Sequence, residues 1–149
     1  MSLTVTTTDL TQHGETPNWT EGRLQEECLL WLNKHYRAAE RWFHHIPNGE
    51  LRTGRDGARL QAMGVKSGVS DTFLPEPCGC YHGLYVELKK DRFATVSTNQ
   101  KLFIAHARAK GYCVVVLDNL PAFVALIPAY LALGPGQALG AEHFTRFPL

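Results

Sequence analysis

Gly68-Val-Ser-Asp71 and, after a short connection, Tyr85-Val-Glu87-Leu-Lys89 form the stretch on which the reading of this chain turns. Alternate residues of a strand face opposite ways, so Leu84, Val86 and Leu88 make an apolar face while Tyr85, Glu87 and Lys89 share the other. Asp71-Thr-Phe-Leu-Pro75 reads as a second strand, and Glu76 to His82, which contains Pro77 and Gly79, as the link between the two. An antiparallel pair that sets Pro75 opposite Gly83 also sets Asp71 opposite Glu87, where facing Cβ atoms lie roughly 4.5 to 5.5 Å apart. Two carboxylates at that spacing repel unless a cation sits between them. Their hard oxygens suit a divalent ion, and the Lys89 ammonium beside it can polarise an attacking water or steady the charge that builds on phosphorus. Metal-assisted hydrolysis of a phosphodiester is the chemistry the set fits. Taken singly, each residue has a plainer explanation: solvent-face charges for Glu87 and Lys89, a turn cap for Asp71.

The whole chain sets limits on this reading. Its 149 residues suit one domain with a single core. With 44% hydrophobic and 19% charged residues the composition is that of an ordinary globular protein. A net charge of +1 creates no global basic field, so contact with DNA must rest on a local patch. Cys28, Cys78, Cys80 and Cys113 show no disulfide-like framework and no apolar signal segment begins the sequence, which points to a reducing cytoplasm. Cys78-Gly-Cys80-Tyr-His82 lacks a second ligand pair at zinc spacing. The apolar run from Ala122 to Leu133 is interrupted by Pro128 and falls short of the ~20 residues that span a bilayer, so no membrane role is expected. No Walker A, G-x-G-x-x-G, G-x-S-x-G or H-E-x-x-H occurs, which removes the usual support for kinase, dehydrogenase, serine hydrolase and zincin chemistry.

Residues 1–17 are rich in Thr and read as a flexible tail. Asn18 with Glu21 resembles a capping box opening a helix that runs to about Arg37, with Leu24, Cys28, Trp31 and His35 on one stripe and Glu21 and Glu27 on its flanks. Arg41 to Asn48 reads as the first strand, in which His44 and His45 are expected to be satisfied histidines. Arg52, Arg55, Arg59 and Lys66 concentrate positive charge around a short helix; phosphate contact and a solvated surface explain them equally well. A helix from Ser97 or Thr98 to Lys110 follows, with Leu102 or Phe103, then Ala105, His106 and Ala109 toward the sheet. Gln100 in its first turn either orients a water or phosphate oxygen or is a plain exposed glutamine. Tyr112 to Leu117 is apolar throughout, as in a strand covered on both faces. Leu120 to Leu133 reads as a helix buried in the core or against a second subunit, and residues 134–149 as a tail that docks or dimerises. The element order implies an α/β fold with a mixed sheet of about four strands flanked by helices.

Order and motifs together resemble the PD-(D/E)XK nuclease superfamily, and within it the VRR-NUC (virus-type replication-repair nuclease) family. The residues that carry the resemblance are Glu21-x-x-Leu24-Gln25, Ile46-Pro-Asn-Gly49, Gly64 to Asp71, His82 to Lys90, and Gln100 before Gly111-Tyr112. The match extends over residues 18–133, which it makes a nuclease domain with the restriction-endonuclease-like core. Val-Ser-Asp71 stands where the superfamily name leads one to expect Pro-Asp; this changes the turn, not the ligand. The resemblance implies Asp71, Glu87 and the Leu88 backbone carbonyl as ligands of Mg²⁺ or Mn²⁺. It implies Lys89, Gln100 and Glu21 as catalytic residues, with Glu27 as a substitute for Glu21. Arg52, Arg55, Lys66 and Lys90 would hold DNA phosphates. The activity implied is a Mg²⁺-dependent endonuclease acting on branched DNA, including Holliday junctions, as a homodimer in bacterial or phage-infected cells; a restriction-like, flap or nicking nuclease with the same site, or a non-cleaving DNA-binding module of the same fold, is the alternative.

Overall fold

The computed structural model describes residues 18–47, 54–147 and 149. At its centre lies β3 (Leu84–Leu88), paired antiparallel with β2 (Thr72–Leu74) on one side and parallel with β4 (Cys113–Leu117) on the other. A short β1 (His44–His45) borders β2 antiparallel, giving a four-stranded mixed sheet in the order β1-β2-β3-β4. Parallel neighbours need a crossover. Helix α4 (Thr98–Ala109) supplies it between β3 and β4. The remaining helices are α1 (Glu21–His35), α2 (Arg37–Glu40), α3 (Arg55–Ala62) and α5 (Leu120–Leu131), with a 3-10 turn at Ala141–Phe144. This is the α/β architecture expected from the element order.

Thr72 stands opposite Val86 and Leu74 opposite Leu84. That register, carried one residue past the strand end, sets Asp71 against Glu87, as the placement of Pro75 and Gly83 predicts. The two faces of β3 separate as its alternation requires. Leu84, Val86 and Leu88 enter the main core with Leu24, Cys28 and Leu32 of α1 and with Phe123 and Ile127 of α5. The opposite face is covered by α4, where Ile104 and Ala107 pack on Val114 and Val116. All five residues of β4 are buried because both faces are covered.

Several local expectations change. Thr20, not Asn18, caps α1: its side chain accepts from Arg23 N at 3.1 Å. The helix stops at His35, because Tyr36 leaves helical geometry at φ −137°. The turn of α2 occupies Arg37–Glu40, and Trp42 N and Phe43 N still donate back to Ala39 O, so of the strand expected from Arg41 to Asn48 only His44–His45 pairs, and Asn48 lies outside the described residues. In α4 the buried residues are Ile104 and Ala107, while Leu102 is 65% exposed and Ala105, His106 and Ala109 are also exposed.

Helix α5 begins with Asn119 Oδ1 accepting from Ala122 N at 2.8 Å and with Pro121 in its first turn, where no amide donor is missed. Leu120, Phe123, Val124, Leu126, Ile127 and Tyr130 are buried within the chain. Each such side chain contributes about 1.5 to 3 kcal/mol. This apolar face belongs to the chain's own core and not to a subunit contact. The Phe-bearing tail also folds back: Phe147 packs beside Ile104 and Val116, and Arg146 grips the buried Asp118 with Nε–Oδ1 2.7 Å and Nη2–Oδ2 2.6 Å.

Candidate active site

β2 begins one residue after Asp71, and the place where its ladder ends builds the site. Asp71 N donates to Glu87 Oε2 at 3.2 Å, and Asp71 Oδ2 accepts from Leu88 N at 3.0 Å. Lys89 N meanwhile donates to Leu117 O at 2.8 Å, on the β4 side. Alternation of the backbone then directs both the amide and the carbonyl of Leu88 away from β4, toward Asp71. Two carboxylates and one carbonyl thus converge at this edge.

Helix α4 roofs the edge. Glu87 is 1% and Lys89 6% exposed, so neither is a solvent-face charge. Lys89 Nζ lies 3.3 Å from Glu87 Oε1 and donates to Gln100 Oε1 at 2.9 Å. Gln100 Nε2 donates to Glu87 Oε1. The same Gln100 is the third residue of α4 and completes a capping box: its Oε1 accepts from Ser97 N at 2.9 Å and its N donates to Ser97 Oγ at 3.2 Å. The helix cap therefore aims the amide that joins Lys89 to Glu87. Ser97 three residues before Gln100 was the available signal for this.

Burial pushes the Glu87 carboxyl up to about 7, and the neighbouring Asp71 charge adds to it while Lys89 opposes. Asp71 is raised too, by burial first and by the Glu21 charge, against the hydrogen bond from Leu88 N. Two poorly solvated carboxylates side by side favour either a proton or a cation. Asp71 Oδ1 has no hydrogen bond among the described residues and stays available. Among the described residues no group of three His, Cys, Asp or Glu side chains is gathered there to cage an ion. Two carboxylates and a carbonyl suit an ion that keeps several waters, as Mg²⁺ does.

The other predicted residues divide. Glu21, in the first turn of α1, is exposed at the rim and accepts from Lys90 N at 3.2 Å. Glu27 pairs with Arg23 on its own helix, and of the two glutamates it is Glu21 whose charge raises the Asp71 carboxyl. Arg55, Lys66 and Lys90 are exposed and unpaired among the described residues; Arg52 lies outside them. The loop before Asp71 is clamped to α4 through Asn99 Nδ2 donating to Ser67 Oγ at 2.8 Å. Gly68 has φ +89°, and a Cβ there would sit 2.5 Å from the Asn99 carbonyl carbon. His45, read from sequence as satisfied, hydrogen-bonds Asp71 O through Nδ1 at 2.9 Å, and its proximity is the smallest of the influences that act on the Asp71 carboxyl, in the lowering direction. No spacing in the sequence foretold that neighbour, because it arises from β1–β2 pairing.

A mixed sheet with Asp, Glu and Lys at the fork of an antiparallel pair and a roofing crossover helix is the PD-(D/E)XK nuclease type of fold. Structural comparison finds a VRR_NUC domain protein with a TM-score of 0.72 and 28% identity, covering 83% of this chain and all of that one. No family model and no curated protein matches the sequence. The chain has the VRR-NUC form of this nuclease fold, as the motifs led one to expect.

Proposed function

We propose that this chain is a Mg²⁺- or Mn²⁺-dependent DNA endonuclease that acts on branched DNA, Holliday junctions foremost, in bacterial or phage replication and repair. The observation that carries the reading is the convergence of Asp71, Glu87, Lys89 and Gln100 on one edge of β3. Asp71, Glu87 and the Leu88 carbonyl would hold the ion, with Glu21 supporting from the rim. A bound divalent ion would supply Lewis-acid polarisation and charge neutralisation at the scissile phosphate.

The chain's own groups do the rest. Lys89, held by Gln100 Oε1 and Glu87 Oε1, directs its ammonium to where a nucleophilic water or a phosphoryl oxygen would lie. Gln100 fixes that ammonium and the Glu87 carboxylate in one geometry. Arg52, Arg55, Lys66 and Lys90 would grip backbone phosphates, which gives recognition led by shape and not by base. Symmetric cuts in a junction need two sites, and a homodimer would provide them through a surface other than the buried apolar face of α5. The four cysteines are free thiols, in keeping with a reducing cytoplasm.

Labelled junctions, flaps, nicked and linear duplexes incubated with Mg²⁺, Mn²⁺ or EDTA test the reading. Paired, metal-dependent cuts in the junction are expected. Absence of cutting in every metal would reduce the chain to a DNA-binding module, and preference for a flap or nick would overturn the junction assignment.

A further inference from the structure

We infer that the groove beyond the C-terminal ends of β3 and β4 receives one unpaired nucleotide of the substrate strand, with Phe93 as the stacking surface for its base. The inference rests on the nuclease reading above and names the feature of the DNA that the site requires. β3 and β4 run parallel and end side by side at Leu88 and Leu117. In open α/β sheets the crevice outside the carboxyl ends of the strands is where ligands settle. Here that crevice is a cavity of about 350 Å³ whose lining includes Asn18, Lys90, Arg92, Phe93, Asn119 and Arg146. It opens one residue beyond Lys89, and Lys90 N is tied to Glu21 at the rim of the catalytic edge. A strand with its phosphate at Lys89 therefore has its neighbouring nucleotide at this groove.

The groove has the two chemistries that a nucleotide needs. Phe93 is 78% exposed, more than any other large apolar side chain among the described residues. It is held out by a tied turn: Asp91 Oδ1 accepts from Phe93 N at 2.8 Å, and Ala94 N donates to Asp91 O at 3.2 Å. The Arg92 guanidinium lies 4.7 Å from the ring centroid, which polarises one face and leaves the rest of the ring open. Lys90 and Arg92 are exposed without ion pairs among the described residues. Arg146 neutralises Asp118 through Nε and Nη2, leaving its Nη1 donors to the groove. Asp91 also lines the groove, with its Oδ1 held by Phe93 N, so that with Asp118 paired to Arg146 the two cations Lys90 and Arg92 outnumber the one unpaired carboxylate there among the described residues. Cationic donors on the walls and an aromatic plane at the mouth match a phosphate and an adjoining base. A base inside a duplex has both faces covered, so only an unstacked base at a gap, fork or branch can lie on Phe93.

Fluorescence anisotropy of the full chain in EDTA tests this, with labelled oligothymidylate and a blunt duplex of equal length as the probes. Wild type is expected to prefer the single strand. Phe93→Ala should weaken single-strand binding about ten-fold, leave duplex binding within about two-fold, and keep the melting temperature, while Phe93→Trp restores binding. Equal losses on both DNAs, no loss at all, or displacement by poly-glutamate as readily as by oligothymidylate would each overturn the inference. Wild-type cleavage assayed in parallel separates the two readings. Phe93-dependent binding without cleavage removes the nuclease and keeps the groove, whereas cleavage with Phe93-independent binding does the reverse.

Discussion

Asp71 and Glu87 orient one another across the end of the β2–β3 pair: the Asp71 amide donates to Glu87 Oε2 at 3.2 Å, while the Asp71 carboxylate turns back to the Leu88 amide at 3.0 Å. Neither carboxylate depends on an ion to find its direction. The pair is organised in advance at the expense of one buried and one half-buried carboxylate, and its properties follow from that opposition.

Stability of the metal-free chain should fall as pH rises. Burial and the Asp71 charge hold the Glu87 carboxyl at about 7, above the ordinary Glu value of about 4.3. Between these values the native state keeps a proton that the unfolded state has lost, so stability present at pH 5 is lost through pH 7. The loss amounts to about 3 kcal/mol for Glu87, and the raised Asp71 acts in the same sense. Thermal melts in EDTA from pH 5 to 8 should decline for wild type and flatten for Glu87→Gln. Adding Mn²⁺ at pH 8 should restore about 2.7 kcal/mol at a hundred times its Kd, and little in Asp71→Asn. Parallel pH curves for wild type and Glu87→Gln would remove the coupling.

Cutting and DNA binding should separate on substitution at the edge. Glu87→Gln and Lys89→Ala are each expected to reduce cleavage more than about 100-fold, beyond what loss of a supporting group causes. Their affinity for DNA should stay near that of wild type, as read by gel shift. Cleavage at wild-type rate by either variant would remove that residue from the mechanism.

Gln100 serves a helix cap and a site at once, and two substitutions distinguish the roles. Gln100→Glu keeps the acceptor for Ser97 N and Lys89 Nζ but loses the donor to Glu87 and brings a third carboxylate near the pair. Gln100→Ala loses all three contacts and half of the capping box, for about 1 kcal/mol of stability. Cleavage should fall roughly 10- to 100-fold in both. In Gln100→Glu, added divalent ion should raise the melting temperature more than it does in wild type.

Gly68→Ala should damage the site from outside it. Its φ of +89° disfavours any L side chain, and the new methyl would meet the Asn99 backbone. The loop carrying Asp71 and the first turn of α4 must then separate, moving Gln100 relative to Asp71. A loss of more than about 1 kcal/mol in melting experiments is expected, together with reduced cleavage. A stable and fully active Gly68→Ala would show that the clamp through Asn99 does not position the site.

Periodicity along the chain was enough to determine the faces of β3, the opposition of Asp71 to Glu87, the doubly covered β4 and the order of elements. Each of these depends on residues close in sequence, where alternation and turn chemistry decide. Tertiary structure alone decided what lies over those faces. Taken singly, Glu87 and Lys89 are explained as well by surface charge until α4 covers them, and Gln100 is as readily a plain exposed glutamine as a site residue until the cap at Ser97 turns its amide inward. Leu120 to Leu131 has an apolar face that pattern cannot assign to a core or a partner, and contact with α1 assigns it to the core. His45 reaches Asp71 only because β1 pairs with β2, and Arg146 finds Asp118 across 28 residues of chain. A sequence pattern specifies which side chains share a side; what is packed against that side depends on contacts distant in sequence, which carry no local period.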